Sequence, residues 1–105
     1  SLKISPFEQV QLLKDLYTNK FCFAEENVQA VKNAMRLSLS DINTLYGKTG
    51  TGSVNGENIN GWFIGYIESF DNTYFFATNV QNDYNASGSV ARDITLDILK
   101  SKSLY

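Results

Sequence analysis

The sequence predicts an α+β domain in which three antiparallel strands are flanked by helices. Three observations carry that expectation. Apolar residues recur at helical spacing near both ends, a Gly- and Thr-rich strand pattern fills the middle, and a nearly continuous apolar run follows it. The chain has 105 residues, enough for one small core and too few for two. Its 43% hydrophobic and 19% charged content fits a globular chain rather than a disordered one.

Residues 5–18 read as a helix. Ser5 is a candidate N-cap, and Pro6 takes the first helical position, where its missing N–H costs nothing. Glu8 completes a Ser-x-x-Glu capping box, and Phe7, Val10, Leu13, Leu16 and Tyr17 share one face. A second helix is expected over residues 24–37. Glu25 and Glu26 fall in its first turn, Lys32 and Arg36 lie toward its end, and Val28, Val31 and Met35 form its apolar stripe. Strands follow over residues 44–54, 59–68 and 73–80. The first is Gly- and Thr-rich. The second contains Trp62-Phe63-Ile64-Gly65-Tyr66-Ile67, a run suited to a strand covered on both faces. Asp71-Asn72 turns it into the third, so the last two strands read as a hairpin. A closing helix is expected over residues 89–100, capped by Ser87 or Ser89, with Val90, Ala91, Ile94, Ile98 and Leu99 on its apolar side.

Several function classes are excluded or made unattractive. The net charge is −2 and no basic run exists, so no nucleic-acid partner is expected. No segment is long and apolar enough to span a bilayer, so this segment is expected to make no membrane contact. With no His, imidazole acid/base chemistry and His metal ligation are ruled out within the chain, and no metal site is expected. Cys22 has no partner for an intrachain disulfide. Between Phe21 and Phe23 it reads as a small buried apolar residue, the alternative being a reactive thiol. Three strands have two edges, and residues 73–80 are among the most apolar here. That edge is expected to pair with more sheet or with a partner, including a second copy.

The chemistry sits in Lys48-Thr49-Gly50, within Leu45-Tyr46-Gly47-Lys48-Thr49-Gly50-Thr51-Gly52. Alone, the tripeptide reads as a Gly-rich turn. Its setting inside a strand pattern, before an aromatic hairpin and a terminal amphipathic helix, resembles the last third of penicillin-recognising serine enzymes, whose third signature motif is Lys-Thr-Gly. The likeness is wider. Leu2-Lys3-Ile4-Ser5-Pro6 with Glu8-Gln9-Val10, Gly61-Trp62-Phe63-Ile64-Gly65-Tyr66-Ile67-Glu68, Tyr74-Phe75-Phe76-Ala77 and residues 94–100 are similar, in order and at matching spacing, to segments of class D β-lactamases. The resemblance covers essentially the whole chain. It implies the C-terminal part of the β-lactamase/transpeptidase-like fold, no cofactor, and a parent protein that is secreted or otherwise extracytoplasmic.

Residue by residue, the resemblance implies the following roles. Lys48 supplies positive potential near the nucleophile, and the Thr49 hydroxyl donates to the carboxylate that a β-lactam carries beside its reactive amide. Gly50 lets the substrate approach the strand backbone, and Thr51 gives its backbone N–H to the oxyanion formed when Ser attacks the carbonyl. Many of these enzymes also hold the carboxylate with an Arg of the last helix. Arg92 falls there, but one position beyond the expected place, which Ala91 occupies, and one residue is about 100° around a helix. Arg92 therefore stands both as a substrate-binding candidate and as a solvated surface charge.

No Ser in the chain is followed three residues later by Lys, so the family's nucleophile and its base, expected in class D as a carbamylated lysine, are absent from these residues. No catalytic residue is assigned here. Ser53-x-Asn55 follows Lys-Thr-Gly instead of preceding it and is read as chance. The chain begins with Ser1 rather than Met, and the expectation is a C-terminal segment, residues 1–105, of a penicillin-binding or β-lactamase domain. In the family the Lys-Thr-Gly strand is an edge of the sheet, and the 73–80 strand is expected to pair with the missing N-terminal part of the same domain. The leading function is a class D β-lactamase hydrolysing the β-lactam amide through an acyl-serine. The alternatives are the penicillin-sensing domain of a β-lactam-responsive receptor and a transpeptidase domain. Each implies a β-lactam or peptidoglycan-like small molecule as ligand.

Overall fold

A computed structural model of the chain describes residues 4–39 and 43–105. Leu2 and Lys3 of the first matching segment lie outside them. The order is α1 (Pro6–Tyr17), α2 (Glu25–Met35), β1 (Arg36–Leu39), β2 (Thr44–Val54), β3 (Glu57–Glu68), β4 (Thr73–Gln81) and α3 (Gly88–Ser101). The strands form one antiparallel sheet in the order β1-β2-β3-β4. The α+β expectation holds, with one strand more than the sequence suggested.

That extra strand corrects the second helix, which stops at Met35 rather than running to 37. Arg36-Leu37-Ser38-Leu39 alternates apolar and polar. It gains ladder hydrogen bonds to Thr44, Leu45 and Tyr46 that a further helical turn would forgo. The α1 start is as expected. The Glu8 N–H donates to Ser5 Oγ at 3.1 Å, and the Ser5 N–H donates to Glu8 Oε1 at 3.2 Å. The stripe on α1 is narrower than expected, because Leu13 is buried whereas Phe7 stands in solvent.

Cys22 is a second correction. It is exposed, not buried. The turn after α1 puts it in the left-handed region at φ 58°, its N–H donating to the Asn19 carbonyl at 3.1 Å. The Asn19 carboxamide clamps Phe23 on both sides, accepting from its N–H and donating to its carbonyl, each at 2.9 Å. Backbone geometry, rather than the apolar neighbours, decides where the thiol points.

Strand register divides the sheet into two faces. Tyr46, Lys48 and Gly50 lie opposite Tyr66, Ile64 and Trp62 on the face toward α1 and α2. Leu45, Gly47 and Thr49 lie opposite Ile67, Gly65 and Phe63 on the face toward α3. On the α3 side, Leu45, Ile67 and Leu99 form a buried cluster with Phe76, Leu96, Leu104 and Tyr105 against it. The α3 stripe is rotated from the expected one. Gly88, Ala91, Thr95 and Leu99 face the sheet, while Ile94 and Ile98 are largely exposed. Thr95 is tolerated inside because its hydroxyl donates to the Ala91 carbonyl at 2.7 Å and lies 2.6 Å from the Thr78 hydroxyl.

On the other face, α1 docks through Tyr17, whose ring meets Tyr66 and Phe75 edge-on at 4.8 and 5.3 Å. The Tyr17 hydroxyl donates to Glu68, and the Lys32 ammonium of α2 sits 4.3 Å from the Tyr17 ring centre. Tyr66 stacks on Tyr46 at 4.5 Å. The Tyr66 hydroxyl is fully buried with no hydrogen-bond partner among the described residues, and burial pushes its pKa far above the usual phenol value. Among the described residues β4 pairs only with β3, so its outer edge is open as the sequence implied.

An unpaired buried hydroxyl costs about 1–3 kcal/mol. Tyr66→Phe keeps the ring and removes that cost, so urea denaturation is expected to show equal stability or a gain of up to ~1 kcal/mol. A loss of that size would mean that the hydroxyl is held by a buried water.

Candidate substrate groove at the edge of strand β2

The outer side of β2 meets β1 only at Thr44, Leu45 and Tyr46. From Gly47 to Val54 that edge has no neighbouring strand among the described residues. Lys48-Thr49-Gly50-Thr51 occupies this stretch, and all four residues are exposed. The edge expected for the Lys-Thr-Gly strand is therefore correct for the motif but not for the whole strand, since β1 covers its first three residues.

Alternation sends the Lys48 side chain toward α1 and α2 and the Thr49 side chain toward α3. Three shallow cavities meet at Lys48. One of about 240 Å³ runs beneath α1 and α2, between Gln9, Leu12, Leu13, Met35 and Ile64. One of about 220 Å³ is lined by Gln9, Lys48, Thr49, Gly50, Trp62 and Ile64. The third, about 160 Å³, opens over Gly47, Lys48 and Thr49 toward Leu37 and Arg92. The middle one joins the predicted motif to Gln9 and Trp62, to which the sequence had given no site role.

The α3 N-terminus fixes the far side of the motif. Ser87 caps the helix, its Oγ accepting from the Val90 N–H at 3.2 Å. The Gly88 N–H, one of the donors a helix start leaves over, donates to Thr51 Oγ1 at 2.9 Å. A Cβ on Gly88 would stand 2.7 Å from the Thr49 Cβ and 2.9 Å from the Gly50 carbonyl oxygen. Only glycine lets the helix start come this close. The approach puts the positive end of the helix dipole beside Thr49 and Gly50, which favours an anion there. The Thr51 side chain is thereby used as a strut between β2 and α3.

Arg92 lies one turn into α3. Ala91 beside it is fully buried against the sheet, whereas Arg92 faces the third cavity with Lys48 and Thr49. Its guanidinium makes a 3.5 Å contact with the exposed carboxylate of Asp93, a pair that solvent weakens. The step past Ala91 thus carries Arg92 away from the core and toward the motif. No group of three or more Cys, Asp and Glu side chains able to hold a metal occurs among the described residues. None of their helices is long and apolar enough to cross a membrane.

Gly88→Ala is expected to push the α3 start off β2 and break the Gly88–Thr51 hydrogen bond, costing about 1–3 kcal/mol in urea denaturation. Unchanged stability, with α3 in the same place in a crystal structure of the variant, would refute the strut.

Residues 1–100 match the penicillin binding protein transpeptidase domain. The chain is 50% identical over 105 residues to the regulatory protein BlaR1 of Bacillus licheniformis, matching all of this chain and 18% of that protein. The solved C-terminal domain of the Bacillus licheniformis BlaR penicillin-receptor superposes with a TM-score of 0.92 at 50% identity, covering 100% of this chain and 43% of that one. The class D β-lactamase BAT-2 superposes with a TM-score of 0.87 at 41% identity, covering 100% and 42%. The chain thus spans less than half of each of these relatives. Its fold is that of the receptor domain and of class D β-lactamases.

Proposed function

The chain belongs to the penicillin-binding protein transpeptidase domain family, and from that premise we propose that residues 1–105 are the C-terminal part of the penicillin-sensing domain of a receptor. In the sequence this reading stood second to the class D β-lactamase. It now stands first, because similarity to the BlaR receptor domain exceeds that to the BAT-2 β-lactamase in both identity and superposition. A domain that senses an external antibiotic is placed on the extracytoplasmic side of the cell.

The observation that carries the chemistry is the unpaired β2 edge with Lys48 and Thr49 on opposite sides of it. A β-lactam lies along that edge as an added strand would, its amide pairing with the exposed main chain. The Thr49 hydroxyl donates to the ligand carboxylate, assisted by the start of α3. Arg92, facing the same cavity as Thr49, adds positive charge at that end. Gly50 keeps the approach open, and the Thr51 N–H faces the developing oxyanion. Lys48 stabilises the negative charge that builds up as a serine outside these residues attacks the lactam carbonyl. The C–N bond breaks, the ring nitrogen takes a proton, and the carbonyl carbon stays on the serine as an ester. A sensor keeps that ester, whereas a β-lactamase hydrolyses it.

The test is made on the whole domain with nitrocefin and a fluorescent penicillin. A covalent adduct that persists, with little multiple turnover, is expected. Fast turnover dependent on bicarbonate would instead establish the β-lactamase, and no adduct would refute penicillin binding. Lys48→Ala is expected to slow acylation on the order of tenfold or more. The 105-residue chain alone, lacking Ser-x-x-Lys, is expected to gain no penicillin mass.

A further inference from the structure

We propose that Gln9 is the positioning residue for Lys48, and that in the filled groove its carboxamide holds the ammonium in place without neutralising it. This rests on reading the groove as a β-lactam site. Gln9 and Lys48 line two cavities together, one of them the cavity that contains Thr49, Gly50 and Trp62. Among the described residues Lys48 takes part in no salt bridge. No carboxylate among the described residues offsets its charge.

The first turn of α1 accounts for that. It places one acid, Glu8, next to Gln9. The Glu8 carboxylate is turned back to accept from the Ser5 N–H, while the Gln9 N–H donates to the Ser5 carbonyl at 3.0 Å and closes the turn. The capping box thus keeps the acid facing its own helix start and presents a neutral amide toward Lys48. A carboxamide has an acceptor oxygen for the ammonium and two N–H donors left for the ligand. A carboxylate at position 9 would pair with Lys48 and cancel the potential that draws the ligand.

The experiment compares Gln9→Glu and Gln9→Leu with wild type in the whole domain, reading the acylation rate with a fluorescent penicillin. Gln9→Glu is expected to slow acylation about fivefold at neutral pH and low salt, the scale of an exposed ion pair. The deficit shrinks with added salt. It also shrinks as the pH falls toward about 4, where a carboxyl becomes protonated. Gln9→Leu is expected to lose less, with neither dependence. Equal losses in both variants, insensitive to salt and pH, would mean that Gln9 serves only packing. A Gln9→Glu domain acylated at the wild-type rate would overturn this inference alone. A wild-type domain that is never acylated would overturn the groove reading and this inference with it.

Discussion

Past Tyr46 no strand among the described residues pairs with the outer edge of β2, and the groove depends on that gap. Free main-chain donors and acceptors on a sheet edge are ordinarily a hazard, because they template pairing with other chains. Here β1 is four residues long and its register is irregular between Arg36 and Ser38, so it covers β2 only where no motif residue lies. The strand is braced on one face at its β1-covered end and on the other within the free stretch. Tyr17 of α1 locks against Tyr66, and α3 is pinned to Thr51 through Gly88. A ligand that adds itself as a strand finds a backbone already in place, which lowers the ordering cost of binding.

Much of this was legible in the sequence where a local signal decided the outcome. Ser5-Pro6 with Glu8 fixed the start of α1, whereas the polar stretch over residues 54–58 is in the structure a tight turn at Asn55-Gly56, both at positive φ. Lys48-Thr49-Gly50 fell on a strand as expected. What failed depended on tertiary contact. Arg36 and Leu37 looked like helix because they follow directly on the α2 pattern, although Arg36 pairs with Tyr46 only ten residues further on. Cys22 looked buried because apolar neighbours outweighed a turn geometry that no residue type announced. Trp62 and Ile64 were seen as core and not as groove. The two-residue turn alone would set Lys48 opposite Phe63, but an irregularity between Gly52 and Ser53 shifts the register by one and brings in Ile64. A one-residue slip exchanges the faces of a strand. Gln9 could not be found at all without knowing how α1 crosses the sheet.

The same contacts serve a receptor or an enzyme. In the proposed reading, positive charge from Lys48, a hydroxyl from Thr49 and a main-chain donor from Thr51 recognise the β-lactam and favour its opening, and none of them decides whether the resulting ester is hydrolysed. That decision belongs to groups around the serine. The chain supplies one wall of a groove, and similarity to the BlaR receptor domain supports the sensing role for the whole.

The most direct measurement is a crystal structure of the whole domain acylated by a penicillin. The ligand carboxylate is expected within about 3 Å of Thr49 Oγ1, with the ligand amide paired to the β2 edge and the Gln9 carboxamide beside Lys48. A penicilloyl group lying against the β4 edge or along α2, with the Lys48-Thr49-Gly50 edge bare, would contradict the account.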